Sequence, residues 1–176
     1  MTGTIRVAVG QSKGKIMDSK GRYSMAQIVL HWTIAVLIVA NYFISDGMPE
    51  FFDKMMGGQA VTGFVPKFHV WAGVTILVLV LLRLVVRIIT GAPEGKASPT
   101  LADRAAGWGH ALLYLLMIAV PTFGAIAWFG QTETTANLHV LSMNVMMLVI
   151  LGHAAMAVFH HYFLRDGLLS KMNPVR

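Results

Sequence analysis

The chain has 176 residues, 56% of them hydrophobic and 12% charged, and 14 Lys and Arg against 8 Asp and Glu give it a formal charge of +6. The apolar share exceeds that of an ordinary soluble domain and the charged share is about half of it, so a membrane setting is expected, with a length that suits one domain. The absence of cysteine excludes disulfides, thiolate-bound metal centres and any group tethered through sulfur.

In chain order, residues 1–24 are polar and basic, with no apolar run of signal-peptide length. They read as a cytoplasmic tail without fixed structure, ahead of a single domain over residues 25–176. Four long apolar stretches follow, over residues 28–45, 68–89, 107–129 and 138–163. Each is about as long as a membrane-crossing helix requires, the first being the shortest. A single span in lipid satisfies its own backbone only as a helix. The expected fold class is therefore an all-α membrane protein, a bundle of four transmembrane helices. Pro121 is expected to kink the third helix, and Pro93 and Pro99 mark the loop before it. Trp32, Trp71, Trp108 and Trp128 lie near helix ends and read as an interfacial belt.

Basic residues set the orientation. The tail holds Arg6, Lys13, Lys15, Lys20 and Arg22. The connection between the second and third helices, with its flanks, holds Arg83, Arg87, Lys96 and Arg104, and the carboxy-terminal end adds Arg165, Lys171 and Arg176. The other two connections hold only Lys54 and Lys67, beside Asp46, Glu50, Asp53 and Glu133. The positive-inside rule then places both termini in the cytoplasm. The positive charge is used up by topology and leaves no basic stripe on a soluble face, so the expected partner is membrane lipid and not nucleic acid.

Histidines carry the chemical signal. His139 and His153 are 14 residues apart on the fourth stretch, almost four helical turns, so both leave one face about 21 Å apart. That rise covers most of a hydrocarbon core about 30 Å thick. His31 and His69 stand at the mouths of two other stretches, and ionisable groups at membrane depth read as functional. Four histidines at two depths fit the axial ligands of two haems stacked across the membrane. On the outer side the only pair is His69 and His139. On the inner side His153 keeps the His139 face, and either His31 or His110 can partner it, with His31 favoured. His160, seven residues after His153, is a candidate quinone contact, and so is His110, whose other reading is a structural hydrogen bond. Arg83 and Arg87 share a face and suit carboxylates, which guanidinium binds bidentately; snorkelling to headgroups is their alternative. Lys67, beside His69, has the same two readings on the outer side. Gly73, Gly109, Gly124 and Gly152 let a flat ring or a neighbouring helix approach the backbone, while Met146 and Met147 read as packing.

The segments Leu30-His31-Trp32, His69-Val70-Trp71-Ala72-Gly73, Gly109-His110-Ala111-Leu112-Leu113-Tyr114, His153-Ala154-Ala155 and His160-His161-Tyr162-Phe163 resemble the bacterial cytochrome b561 family. The resemblance runs from about Tyr23 to the carboxy terminus and departs from the family in a short connection at residues 131–137. It implies a multi-pass protein of the bacterial inner membrane with two b haems per chain, the inner on His31 and His153 and the outer on His69 and His139. It implies electron exchange with membrane quinone, ubiquinone in some members, with superoxide as a possible small donor. The alternative is a relay subunit docked to a dehydrogenase or hydrogenase partner. Bis-histidine haem, with both axial sites filled, carries electrons singly.

Overall fold

The computed structural model describes residues 23–91 and 101–164. The expected tail over residues 1–24 falls almost wholly outside them, as do the loop prolines Pro93 and Pro99. The described chain is helical: α1 (Met25–Ile44), α2 (Met48–Met56), α3 (Phe64–Thr90), α4 (Leu101–Gly130) and α5 (Glu133–Phe159), which continues through a π-helical turn at His160–Leu164. Of these, α1, α3, α4 and α5 are long and apolar enough to cross a membrane. The fold is an all-α four-helix membrane bundle.

Most helices begin earlier than hydropathy indicates. Ser24 caps α1, its side chain accepting the Gln27 backbone N–H at 3.3 Å. α5 starts at Glu133, whose carboxylate suits the positive end of the helix dipole. The polar run at residues 133–137 is thus helical, which leaves a two-residue link after α4. His69 and His139 therefore lie more than a turn inside their helices rather than at the mouths. The short α2 was not expected, because nine residues cannot span a bilayer. Gly47 (φ 77°) and Pro49 start it, a left-handed entry followed by a proline in the first turn. α4 runs through Pro121 as one element.

α4 packs on α5, α1 on α3, and α3 on α4, while α5 stands off from α1 and α3. At the end where α3 leaves and α4 enters, the buried Gln27 amide donates to the Gly91 carbonyl at 2.9 Å and to the Thr90 hydroxyl. This is the basic end, with Arg83, Arg87 and Arg104; the opposite end carries α2. The sealed core lies midway. Ile34 and Ile38 of α1, Ile76 and Val80 of α3, Leu113, Leu116, Met117 and Val120 of α4 and Met146 of α5 form it. The outward faces keep large apolar side chains such as Val36, Phe43, Ile88, Leu115 and Leu148 exposed, as lipid contact requires.

Candidate functional site

The histidines gather at two levels, one on each side of that core. Towards the α2 end, the rings of His69 on α3 and His139 on α5 face each other with centroids 5.8 Å apart and planes at 90°. Towards the basic end, His153 of α5 meets His31 of α1 at 6.5 Å and 78°. His110 of α4 also reaches His153, at 5.2 Å. Both levels thus bridge the space where α5 stands off from its neighbours.

The α2-end pair has one nitrogen of each ring committed. His139 Nδ1–H donates to the Val120 carbonyl at 2.8 Å. Val120 lies one turn before Gly124, and a Cβ on Gly124 would come within 2.9 Å of His139 Nδ1. The missing side chain is what admits the ring to that carbonyl. His69 Nδ1 lies 2.6 Å from Ser45 Oγ. With each Nδ1 tied back, each Nε2 is left for a ligand.

Around this pair is a cavity of about 520 Å³, a usual size for a cofactor site. Its wall is largely apolar, with Ile38, Val74, Ile76, Val120, Pro121 and Met146. Met48, Pro49 and Phe52 of α2 form its outer rim, and besides the two histidines Asp53 and Glu133 are its only acidic or basic side chains among the described residues. Lys67 lines a separate space of about 110 Å³ with Trp71, Trp128 and Phe129.

A flat iron macrocycle fits this architecture. Metal–imidazole bonds are about 2 Å long, so two rings sharing one metal stand with centroids about 6 Å apart. The 6.5 Å and 5.8 Å pairs lie nearer that separation than the 5.2 Å pair. Gly73 lines the cavity one turn past His69, and a Cβ there would meet nothing within 4 Å, so the space beside it is open. Among the described residues no cluster of three or more His, Asp or Glu could hold a bare ion. Two imidazoles alone are an incomplete ligand set, which a macrocycle with its own nitrogen donors would complete.

At the basic end, the guanidinium carbons of Arg83 and Arg87 lie 5.4 and 6.0 Å from the Tyr114 ring centroid. The Tyr114 hydroxyl is buried without a hydrogen-bond partner in the protein. His31 and His153 are half-buried, whereas His110 is exposed. His160 lies in the π-helical turn with its ring 6.4 Å from that of Phe159. The predicted residues His31, His110, His153, Arg83 and Arg87 therefore share one end, and His69 and His139 the other. Ser45, the Val120 carbonyl, Tyr114 and α2 were not expected. Asn41 and Ser45, polar and four apart in an apolar helix, were the available signal.

The family model described as prokaryotic cytochrome b561 matches residues 22–174. A cytochrome b562 of Cereibacter sphaeroides is 38% identical over 156 residues, covering 89% of this chain and 98% of that protein. A probable superoxide oxidase CybB of Yersinia pestis is 28% identical across 87% of this chain and 96% of its own length. Cytochrome b561 homolog 1 of Escherichia coli is 29% identical, across 88% and 98%. The chain belongs to the prokaryotic cytochrome b561 family, and is a b-type cytochrome that transfers electrons in a bacterial membrane.

Proposed function

We propose that the protein holds two b haems, one between His69 and His139 and one between His31 and His153, and passes electrons between them across the membrane. The observation that carries this is the pair of imidazole couples, 5.8 and 6.5 Å apart, at opposite ends of the same helix α5. Haem held between these imidazoles would supply reversible one-electron chemistry. His69 and His139 orient the α2-end group, and the apolar cavity wall keeps water from it. At the basic end, Arg83 and Arg87 offer two cations to carboxylates beside His31 and His153. His110 then sits next to this couple as a non-ligand.

The basic residues favour a cytoplasmic basic end and an external α2 end. Membrane quinone, ubiquinone by the family likeness, is the proposed acceptor at the cytoplasmic side. His160 would give it protons, a reading supported by its position in a π-helical turn of the kind often found at functional sites. The likeness to a probable superoxide oxidase supports superoxide as donor. Two superoxide ions would yield two O₂ and two electrons, and with two protons these reduce one quinone to quinol.

A specific observation favours a second reading, a relay docked to a redox protein. The charged side chains on the α2-end cavity are Asp53 and Glu133, which repel an anion. Lys54 and Lys67 stand off that wall. Both readings need the two haems, so stoichiometry comes first. Pyridine haemochrome of the purified protein should give two per chain. His139→Ala should keep only the basic-end haem and His153→Ala only the α2-end one; a variant that keeps both removes its residue from the ligand set. Superoxide added to the wild type with a ubiquinone analogue then separates the readings. Haem reduction no faster than in buffer leaves the relay.

A further inference from the structure

We infer that Ser45 is a positioning residue for His69, and that its hydroxyl sets the reduction potential at the α2-end site. The inference rests on the reading that His69 is an iron ligand, and it adds a residue from a different helix to that site. Ser45 ends α1, while His69 lies on α3. Ser45 Oγ contacts three groups, the Asn41 backbone carbonyl, the Asn41 side-chain carbonyl at 3.4 Å and His69 Nδ1 at 2.6 Å.

The proton count decides the roles. A serine hydroxyl has one proton, and a carbonyl oxygen can only accept. Ser45 therefore donates to Asn41. Its oxygen is then left to accept from His69, so Nδ1 carries the ring proton and Nε2 the lone pair. The alternative, a hydroxyl turned to the imidazole, would set two acceptor oxygens against each other inside the bundle. Donation to Asn41 also polarises the hydroxyl and makes its oxygen a better acceptor. This draws on the Nδ1–H bond and makes Nε2 more electron-rich, which favours ferric over ferrous iron.

The two ligands of the site are thus held differently. His139 is fixed by a backbone carbonyl that no substitution at 120 removes. His69 is fixed by a side chain, so Ser45 is the one of the two supports that sequence can tune. Asn41 and Ser45 both line the cavity, which places the relay at the wall of the space a macrocycle fills.

The test is a redox titration of the full-length protein in detergent or nanodiscs. The α2-end potential is identified as the wave missing from His69→Ala. Ser45→Ala should keep two haems and raise that potential alone, by a several-fold change in ferric preference, tenfold being 59 mV for a one-electron couple. Its low-spin EPR signal should shift, and Ser45→Thr should restore both readouts. An unchanged or lowered potential overturns the inference while leaving the ligand assignment in place. If Ser45→Ala loses the haem outright, Ser45→Thr and Ser45→Val decide. Retention by Thr and loss by Val supports the hydroxyl, and equal behaviour overturns it. Two haems retained in His69→Ala would instead remove the underlying reading.

Discussion

Gly124→Ala is the sharpest steric test of the α2-end site. The added methyl carbon would lie 2.9 Å from His139 Nδ1 and 3.0 Å from Cε1, against an ordinary contact of about 3.5 Å or more. The ring has to retreat by about half an ångström. Its hydrogen bond to the Val120 carbonyl, now 2.8 Å, then approaches the length at which such bonds fail. A lost neutral hydrogen bond costs about 1 kcal/mol. A displaced second-shell partner lowers metal affinity about 10- to 100-fold, which is about 1.4 to 2.8 kcal/mol. The variant should therefore fold, keep the basic-end haem, and bind the α2-end haem about 10- to 100-fold more weakly in titrations of apoprotein. Gly107→Ala is the control, since a Cβ there meets nothing within 4 Å and alanine is the better helix former by about 1 kcal/mol. Wild-type affinity in Gly124→Ala would refute the idea that the missing side chain is what admits the His139 ring.

The other expectations are as direct. Gly73→Ala places its Cβ against no protein atom, so apoprotein stability should hold while α2-end haem occupancy falls; equal occupancy in variant and wild type means the macrocycle does not lie there. Met146→Ala empties the one buried position of α5 and should cost about 2–5 kcal/mol in a denaturation series, with both haems retained; a neutral result means that the mid-bundle core is not tightly packed. The crossed imidazole planes, 78° and 90°, should give two strongly anisotropic low-spin EPR signals, and signals typical of parallel rings would contradict the geometry. A reporter at residue 176 should prove cytoplasmic and one within residues 47–66 external; the reverse overturns the proposed sidedness.

Sequence alone revealed what depends on period and hydropathy. Four spans follow from apolar length, and the common face of His139 and His153 follows from 3.6 residues per turn. The grouping of the histidines at two levels was legible because their order along helices of alternating direction sorts them to one end or the other. The helix starts were not, since hydropathy records where lipid begins while α5 begins in polar residues at Glu133. α2 was hidden for a related reason: nine residues are too few to carry a membrane signal. The proposed choice of His31 over His110 rests on distances, because both sit at one level and sequence does not separate 6.5 Å from 5.2 Å. Ser45 and the Val120 carbonyl escaped because a tertiary hydrogen bond between helices leaves no periodic trace.

What the bundle must do between the two levels explains where its packing is tightest. Met146 lies seven residues from both His139 and His153, two turns either way on the same face. Every buried side chain of the mid-bundle core, from Ile34 to Met146, is apolar. An electron can tunnel through such a layer, but a proton needs water or a titratable group to cross it. A leak would dissipate about 2.3 kcal/mol per charge for each 100 mV of membrane potential. Ionisable groups gather on either side of this layer among the described residues, the His69–His139 couple at one end, and Arg83, Arg87 and three histidines at the other. On the proposed two-haem reading, an apolar middle between ionisable ends would let charge pass as electrons while protons are handled at the membrane surfaces, where a quinone would take them up.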